Sequence, residues 1–428
     1  MSVCFSIREI VVTDGTGKKI VWTSTIAKGA NSPDNTRPLA LFPAKEDVDL
    51  LREFVPRVEK EIKHIKANGI KIELDGELIK AVCEDATLSM LDGKMVTALL
   101  QLGGAYCTMC VRSQDECHQE KVVDEGFIID RSIESLSDLA LSLIDPDTED
   151  ITKKKNDYKV RQCLCGLPIT ESDITKTIPV CHSKIRSFEW VIELLTRYLS
   201  HKKWWSQRNK VKYTDEEKEM YKTARELLKA KLYDTLAINI GNPGDMVTGK
   251  AFHQFSSDHA REFICSLLKE EDQQIFKDIL LRLCAAVKVI NSQKRKVNIE
   301  KLRAITQEAY KKLVLHFPWV AISPSVHRIL GHSWEVVLLN NKFGLGNISE
   351  EGLESLNKYI RDFRRSGARK DNTFNNFVDT FHHMWDRSRP TICALERNIK
   401  KRKDKVMIST EIEALVDSLF EEDDIEDL

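Results

Sequence analysis

One change of hydrophobic period divides this 428-residue chain. Up to about residue 85, apolar residues alternate with polar ones; from about residue 130 they recur every three to four positions. A period of two fits a half-buried strand and a period near 3.6 fits an amphipathic helix. The chain is therefore expected to combine a small β-containing N-terminal lobe with a large helical remainder. Val3, Phe5 and Ile7 alternate, and Ile10-Val11-Val12 runs into Asp14-Gly15-Thr16-Gly17, a hairpin signal. A second strand is expected from Lys19 to Ile26, with further strands at Ile70–Leu74 and Leu78–Val82. Between them Val48, Leu51, Val55, Val58, Ile62 and Ile65 mark a helix, kinked at Pro56 and stopped at Asn68-Gly69. Together these predict a small mixed sheet with a covering helix. Helical periodicity then covers 132–144, 184–207, 215–235, 257–268, 271–292, 297–315, 350–366 and 410–420.

Charge gives little direction. Sixty-five Lys and Arg against 66 Asp and Glu leave a net charge of -1, so no chain-wide basic signature for nucleic acid exists. Local patches can still attract phosphate. Lys400-Lys401-Arg402-Lys403 and the acidic run Glu421 to Asp427 read as solvated charge blocks. The start, MSVCFSIREIVV, lacks the pattern of a secretory signal, and no apolar run approaches the ~18 residues of a membrane span. Eleven cysteines in such a chain are expected to be reduced thiols, some available for metal, in cytosol or nucleus.

Three constellations carry chemistry. Leu88-Ser89-Met90-Leu91-Asp92-Gly93-Lys94 follows a strand and opens a helix, so Asp92 suits either a helix cap or a carboxylate ligand for a divalent cation. Cys107-Thr108-Met109-Cys110 lets two thiolates reach one ion from a tight turn. The remaining ligands could be local (Cys117, His118) or distant (His327, His332). Residues five apart on an ideal helix sit about 140° apart, so the distant pair requires a break, which Gly331 could supply by ending the helix. Ser349-Glu350-Glu351-Gly352-Leu353-Glu354 starts a helix, and Lys358, Arg361, Arg364, Arg365, Arg369 and Lys370 follow at spacings that suit phosphates or a solvated face.

These pieces resemble, in order and spacing, the Transib-type DNA transposases and the V(D)J recombinase catalytic subunit. The resemblance runs from about residue 3 to 390 and includes Ile178-Pro179 leading to His182-Ser-Lys-Ile185. It implies an α/β RNase H-like core of the DDE transposase/integrase type, carrying a large all-α insertion stapled by zinc. The implied divisions are a partial RNase H-like lobe at 1–106, a zinc-bound helical insertion at 107–345, the catalytic-glutamate helix at 346–390 and a charged tail at 391–428. Asp92 and Glu354 would be the second and third catalytic acids, His182 would lie beside them, and Cys107, Cys110, His327 and His332 would hold one structural Zn2+. Lys94, Lys358, Arg361, Arg364 and Arg365 would meet DNA. Two Mg2+ or Mn2+ ions, ~4 Å apart, would flank a scissile phosphate. Two departures stand out. The family's first catalytic aspartate has no counterpart in the chain, and Thr248-Gly-Lys-Ala251-Phe252-His253 lacks a basic pair. The expectation is a nuclear DNA cleavage and strand-transfer protein, homodimeric and working with an accessory recombinase subunit, whose isolated chain cleaves little or no DNA. The rival expectation is a host-retained derivative that only binds DNA or a protein partner.

Overall fold

A computed structural model describes residues 2–6, 9–14, 17–23, 36–41, 48–74, 77–82, 91, 93–103, 107–113, 115–144, 162–200, 213–241, 254–292, 295–389 and 408–421. The strands are β1 (Ser2–Ser6), β2 (Glu9–Asp14), β3 (Gly17–Thr23), β4 (Thr36–Leu41), β5 (Ile70–Leu74) and β6 (Glu77–Ala81). They form three separate antiparallel pairs, β1–β4, β2–β3 and β5–β6. The single mixed sheet expected from the alternation is not formed by the described residues. The reason is local: β2–β3 and β5–β6 each pair neighbours in sequence, in register Asp14↔Gly17 and Leu74↔Glu77. An antiparallel pair needs only such a turn, whereas a parallel neighbour needs a crossover. The remaining pair, β1–β4, carries a register shift at Val3/Cys4, and β4 was not foreseen.

Helix α1 (Val48–Asn68) runs through Pro56 and stops where expected, because Gly69 takes φ 71° while its N–H closes on the Ile65 carbonyl. Its Leu51 and Val55 pack with Val96 and Leu99 of α2 (Gly93–Leu99), with Ile133, Leu136 and Ala140, and with Leu164 and Ile174. Glu59 of α1 is buried. It accepts hydrogen bonds from the Glu171 and Ser172 amides and the Ser172 and Thr170 hydroxyls, tying α1 to the strap 162–179. That strap leads directly into the next long helix, α5.

Short α3 (Glu120–Glu125) and α4 (Ile133–Leu143) precede α5 (Val180–Ser200), α6 (Asp215–Leu236), α7 (Asp258–Ser266), α8 (Glu270–Ile290) and α9 (Ile299–His316). One apolar core joins all of these but α4, from Val191, Leu194 and Leu195 of α5 to Phe276, Leu283 and Ala286 of α8 and Leu302, Tyr310 and Leu313 of α9. The same core holds Val326 of α10 (Pro324–His327), Ile329 and Leu330 of a π turn (Arg328–His332), and Val336 and Val337 of α11 (Ser333–Leu339). Helices α12 (Glu351–Ser366) and α13 (Thr373–Arg387) pack through Leu356, Ile360 and Met384 and lie beside β4. Helix α14 (Thr410–Ser418) returns to α8, burying Ile412. The predicted helices stand within a few residues of their expected ends, save that α5 begins earlier, and residues 201–207 of that segment lie outside the described residues. Helix α13 was missed, although Asn372 caps it and Phe374, Phe377, Phe381 and Met384 follow at helical spacing. The eight cysteines from Cys107 to Cys284 are free thiols. No helix of the described residues is long and apolar enough to cross a membrane.

Candidate metal centre and acidic site

Cys107, Cys110, His327 and His332 come together although 217 positions separate Cys110 from His327. All four are buried, and one ligand atom from each lies within 4.8 Å of every other. They form a group that could hold a metal ion such as zinc, since two thiolates and two imidazoles suit a tetrahedral site. The alternative local pair is not part of it. His118 instead accepts from the Ile322 amide through Nε2 at 3.2 Å. Cys117 is buried beside the group, its thiol pushed up to about 12 by burial and by the charge of Cys107.

The histidines meet by a route different from the one expected. Gly331 does not end the helix; Arg328–His332 forms a π turn continuous with α10 and α11. A π turn bonds i to i+5, so residues five apart stack on one face, and the His327 and His332 rings lie 5.0 Å apart. Glycine at 331 relieves a tight contact instead. A Cβ there would sit 3.2 Å from Phe127 Cδ2 and 3.4 Å from His327 Cε1.

Each imidazole is held from behind. His327 Nδ1 lies 2.9 Å from the Tyr310 hydroxyl, and its Nε2 lies 3.3 Å from Cys110 Sγ. His332 Nδ1 lies 3.3 Å from Glu335 Oε2, a carboxylate also anchored by the Ile129 amide. Its Nε2 is buried without a hydrogen-bond partner among the described residues. An orphaned ring nitrogen facing two sulfurs is what a metal ligand requires. On the sulfur side, the Met109 amide points at Cys107 Sγ at 3.4 Å. The buried Arg131 donates from Nε to the Cys110 carbonyl at 2.8 Å, bracing the turn between the cysteines. Burial opposes charge on Cys107, but interactions with Cys110, His327 and His332 hold its thiol well below the usual range. Burial likewise opposes charge on His332, yet Cys107 and Glu335 raise it to about 9. Burial keeps His327 neutral by lowering it. Cys110, by contrast, is pushed up by its hydrogen bond to Cys107 and by burial, so the pair favours a single thiolate on Cys107.

A second cluster adjoins it. His182, on the first turn of α5, gives its backbone N–H to Glu350 Oε1 at 2.9 Å and places Nδ1 3.1 Å from the same oxygen. Its Nε2 lies 3.8 Å from Glu354 Oε1. Two residues on, buried Lys184 pairs with Glu351. The start of α5 is therefore clamped to the start of α12 by three acids. Asp92 lies outside the described residues. Its neighbour Gly93 faces this region: a Cβ on Gly93 would lie 3.5 Å from Arg328 Nη2 and 3.8 Å from Pro179 Cγ. Pro179 precedes α5, and Arg328 follows the ligand His327 and feels the charge of Glu350. Glu350 and Arg328 were missed as site residues; the run Ser349-Glu350-Glu351 was the signal for the first, and adjacency to His327 the signal for the second.

The expected phosphate contacts divide. Lys358, Arg361 and Arg365 are exposed and continue the face of α12 that begins with Glu354, at steps of four, three and four residues. Arg364 is turned inward: its Nε donates to Asn376 Oδ1 at 2.8 Å and its guanidinium lies 4.1 Å from the centre of the Phe377 ring. Arg369 is engaged by both oxygens of Asp379. Lys94 is exposed at the start of α2. The segment Thr248–His253 and the basic run at Lys400 lie outside the described residues. No protein-family model matches the chain, and no curated protein matches it.

Proposed function

We propose that this chain is the metal-dependent catalytic region of a DDE-type DNA transposase or recombinase. Its three β pairs would stand in place of the RNase H-like sheet. The observation that carries the reading is the convergence of His182, Glu350 and Glu354 beside Arg328, next to a buried Cys2His2 group. In this reading Cys107, Cys110, His327 and His332 hold Zn2+, which fastens the π turn to the N-terminal half. Asp92 and Glu354 supply the hard oxygen ligands that Mg2+ or Mn2+ prefers for phosphoryl transfer. His182 stands at the edge of that site, and Lys358, Arg361 and Arg365 carry the DNA backbone away from Glu354 along α12. Two copies acting on two DNA ends in the nucleus, with an accessory recombinase subunit, complete the proposal.

The test is a salt titration of DNA binding. Each phosphate contact contributes about 0.9 to the slope of log affinity against log salt. The R361A/R365A double variant is expected to lower the slope by about 2, and R364A, whose side chain faces α13, to leave it unchanged wherever the variant stays folded. Absence of DNA binding at low salt, or a slope indifferent to Arg361 and Arg365, overturns the reading.

A further inference from the structure

We propose that Glu350 is a positioning residue, which fixes the tautomer and aim of His182 so that its Nε2 serves as a proton acceptor on the Glu354 side of the acidic site. The argument rests on three distances. One oxygen of Glu350 receives both the backbone N–H of His182, at 2.9 Å, and Nδ1, at 3.1 Å. A carboxylate oxygen only accepts, so the Nδ1 contact places a proton on Nδ1. A neutral imidazole with its proton on Nδ1 carries its lone pair on Nε2, the nitrogen that stands 3.8 Å from Glu354 Oε1. Glu350 is buried at 2 % exposure, whereas His182 is part-buried. The orienting group is shielded and the oriented group is reachable, which is the arrangement of a carboxylate behind a working histidine.

The backbone bond matters as much as the ring bond. Because Glu350 also accepts from the main chain of His182, its carboxylate is anchored beside the ring, and rotation about χ1 would cost the Nδ1 bond. Lys184 and Glu351 repeat the clamp two residues further along α5. The charged groups near His182 are Glu350 and Glu354 from the start of α12, and on its own helix Lys184, Arg186 and Glu189, of which Lys184 pairs with Glu351 and Arg186 with Glu189.

Resting on the DNA-cleavage reading, the step is written as follows. A water O–H bond breaks, its proton passes to His182 Nε2, and the hydroxide oxygen bonds to phosphorus. The bond from phosphorus to the leaving 3′-oxygen breaks with its electron pair on that oxygen. The imidazolium formed is stabilised by Glu350 and later returns its proton to solvent.

The experiment reads the tautomer directly, without DNA. Long-range nitrogen–carbon-proton correlation spectra of the 15N-histidine-labelled chain, with His182 assigned by loss of its signals in H182Q, are expected to show the Nδ1–H form. An amide at 350 still accepts, so E350Q is expected to retain that form. E350L is expected to shift the signals to the Nε2–H form that free imidazole favours, at unchanged metal content. A wild-type spectrum showing Nε2–H overturns the proposal even if E350L fails to fold, and so does an Nδ1–H signal that persists in folded E350L. A positive tautomer result alongside absent DNA binding refutes the DNA reading and leaves the Glu350–His182 orientation standing.

Discussion

Replacing Tyr310 with Phe removes one oxygen from behind the metal centre and nothing else. Tyr310 is 1 % exposed, and its ring stays wedged against Phe127 with centroids 4.8 Å apart. If His327 binds metal through Nε2, its Nδ1 carries the proton and donates it to the Tyr310 oxygen 2.9 Å away. The phenol hydrogen then remains for Cys117, with which Tyr310 also bonds. In Y310F the Nδ1–H of a histidine 3 % exposed loses its acceptor. A buried donor without a partner costs about 1–3 kcal/mol. At 1.4 kcal/mol per tenfold, that lowers metal affinity by roughly 5–150-fold, in line with the 10–100-fold typical for groups behind metal-bound histidines. Cys117 adds little, since burial keeps it a neutral thiol. Competition with a coloured chelator at pH 7 measures the zinc dissociation constant. The expected result is one zinc per chain in both proteins, held at least five-fold more weakly by Y310F. A folded Y310F with affinity within about two-fold of wild type would refute the argument, because it would mean that His327 does not present Nε2 to a metal.

Two further outcomes follow from the same geometry. Gly331→Ala puts a methyl carbon 3.2 Å from Phe127 and 3.4 Å from His327; the overpacking is expected to cost roughly 1–3 kcal/mol in denaturant unfolding, and an unchanged midpoint would show that the π turn has room. Glu59 governs the acid limb of stability: burial pushes its carboxyl up, but hydrogen bonds from Thr170, Ser172 and the Glu171 and Ser172 amides bring it below 4.5. A folded-state value below the unfolded one gives stability that is full above pH 4.5 and lost as pH falls through the folded value, so E59Q should unfold less steeply than wild type below pH 4.5, and parallel acid limbs would sink the assignment.

The helical part of this fold was legible because helical periodicity is local. Val191, Leu194 and Leu195 announce α5 without reference to any other element. The β part was not, because alternation states that a strand exists and is silent about its partner. Strand β4 pairs with β1, across 29 intervening positions of chain, and no signal in Thr36–Leu41 names that partner. Resemblance, not spacing, singled out the four ligands: spacing alone left Cys117 and His118 equal to the histidine pair. The π turn that solves the five-residue spacing was illegible for a physical reason. It has no composition of its own, and here it lies where Gly331 sits close against Phe127. Arg364 shows the same limit from the other side. Spacing on α12 put it near Arg361 and Arg365, but Asn376 and Phe377, on a helix the periodicity reading missed, turn it inward.

The position of the Cys2His2 group explains why two remote segments can be held to the tolerance an acidic site requires. Joining Cys110 to His327 closes a loop of 217 positions, and for a flexible chain that closure costs roughly 5 kcal/mol of entropy. Structural zinc contributes about 10–16 kcal/mol at neutral pH, so a metal at this centre outweighs the closure and leaves a surplus comparable with the whole stability of an ordinary domain. The next residue after His327 is Arg328, which touches the start of α2 and feels Glu350; Glu350 grips His182; His182 faces Glu354. The Arg328–Glu350 step is a charge interaction and the Glu350–His182 step a pair of hydrogen bonds, so the π turn is linked to the acids through charge and hydrogen bonding. On the proposed reading, a closed metal site there would not itself take part in phosphate chemistry; it would set where His182, Glu350 and Glu354 stand.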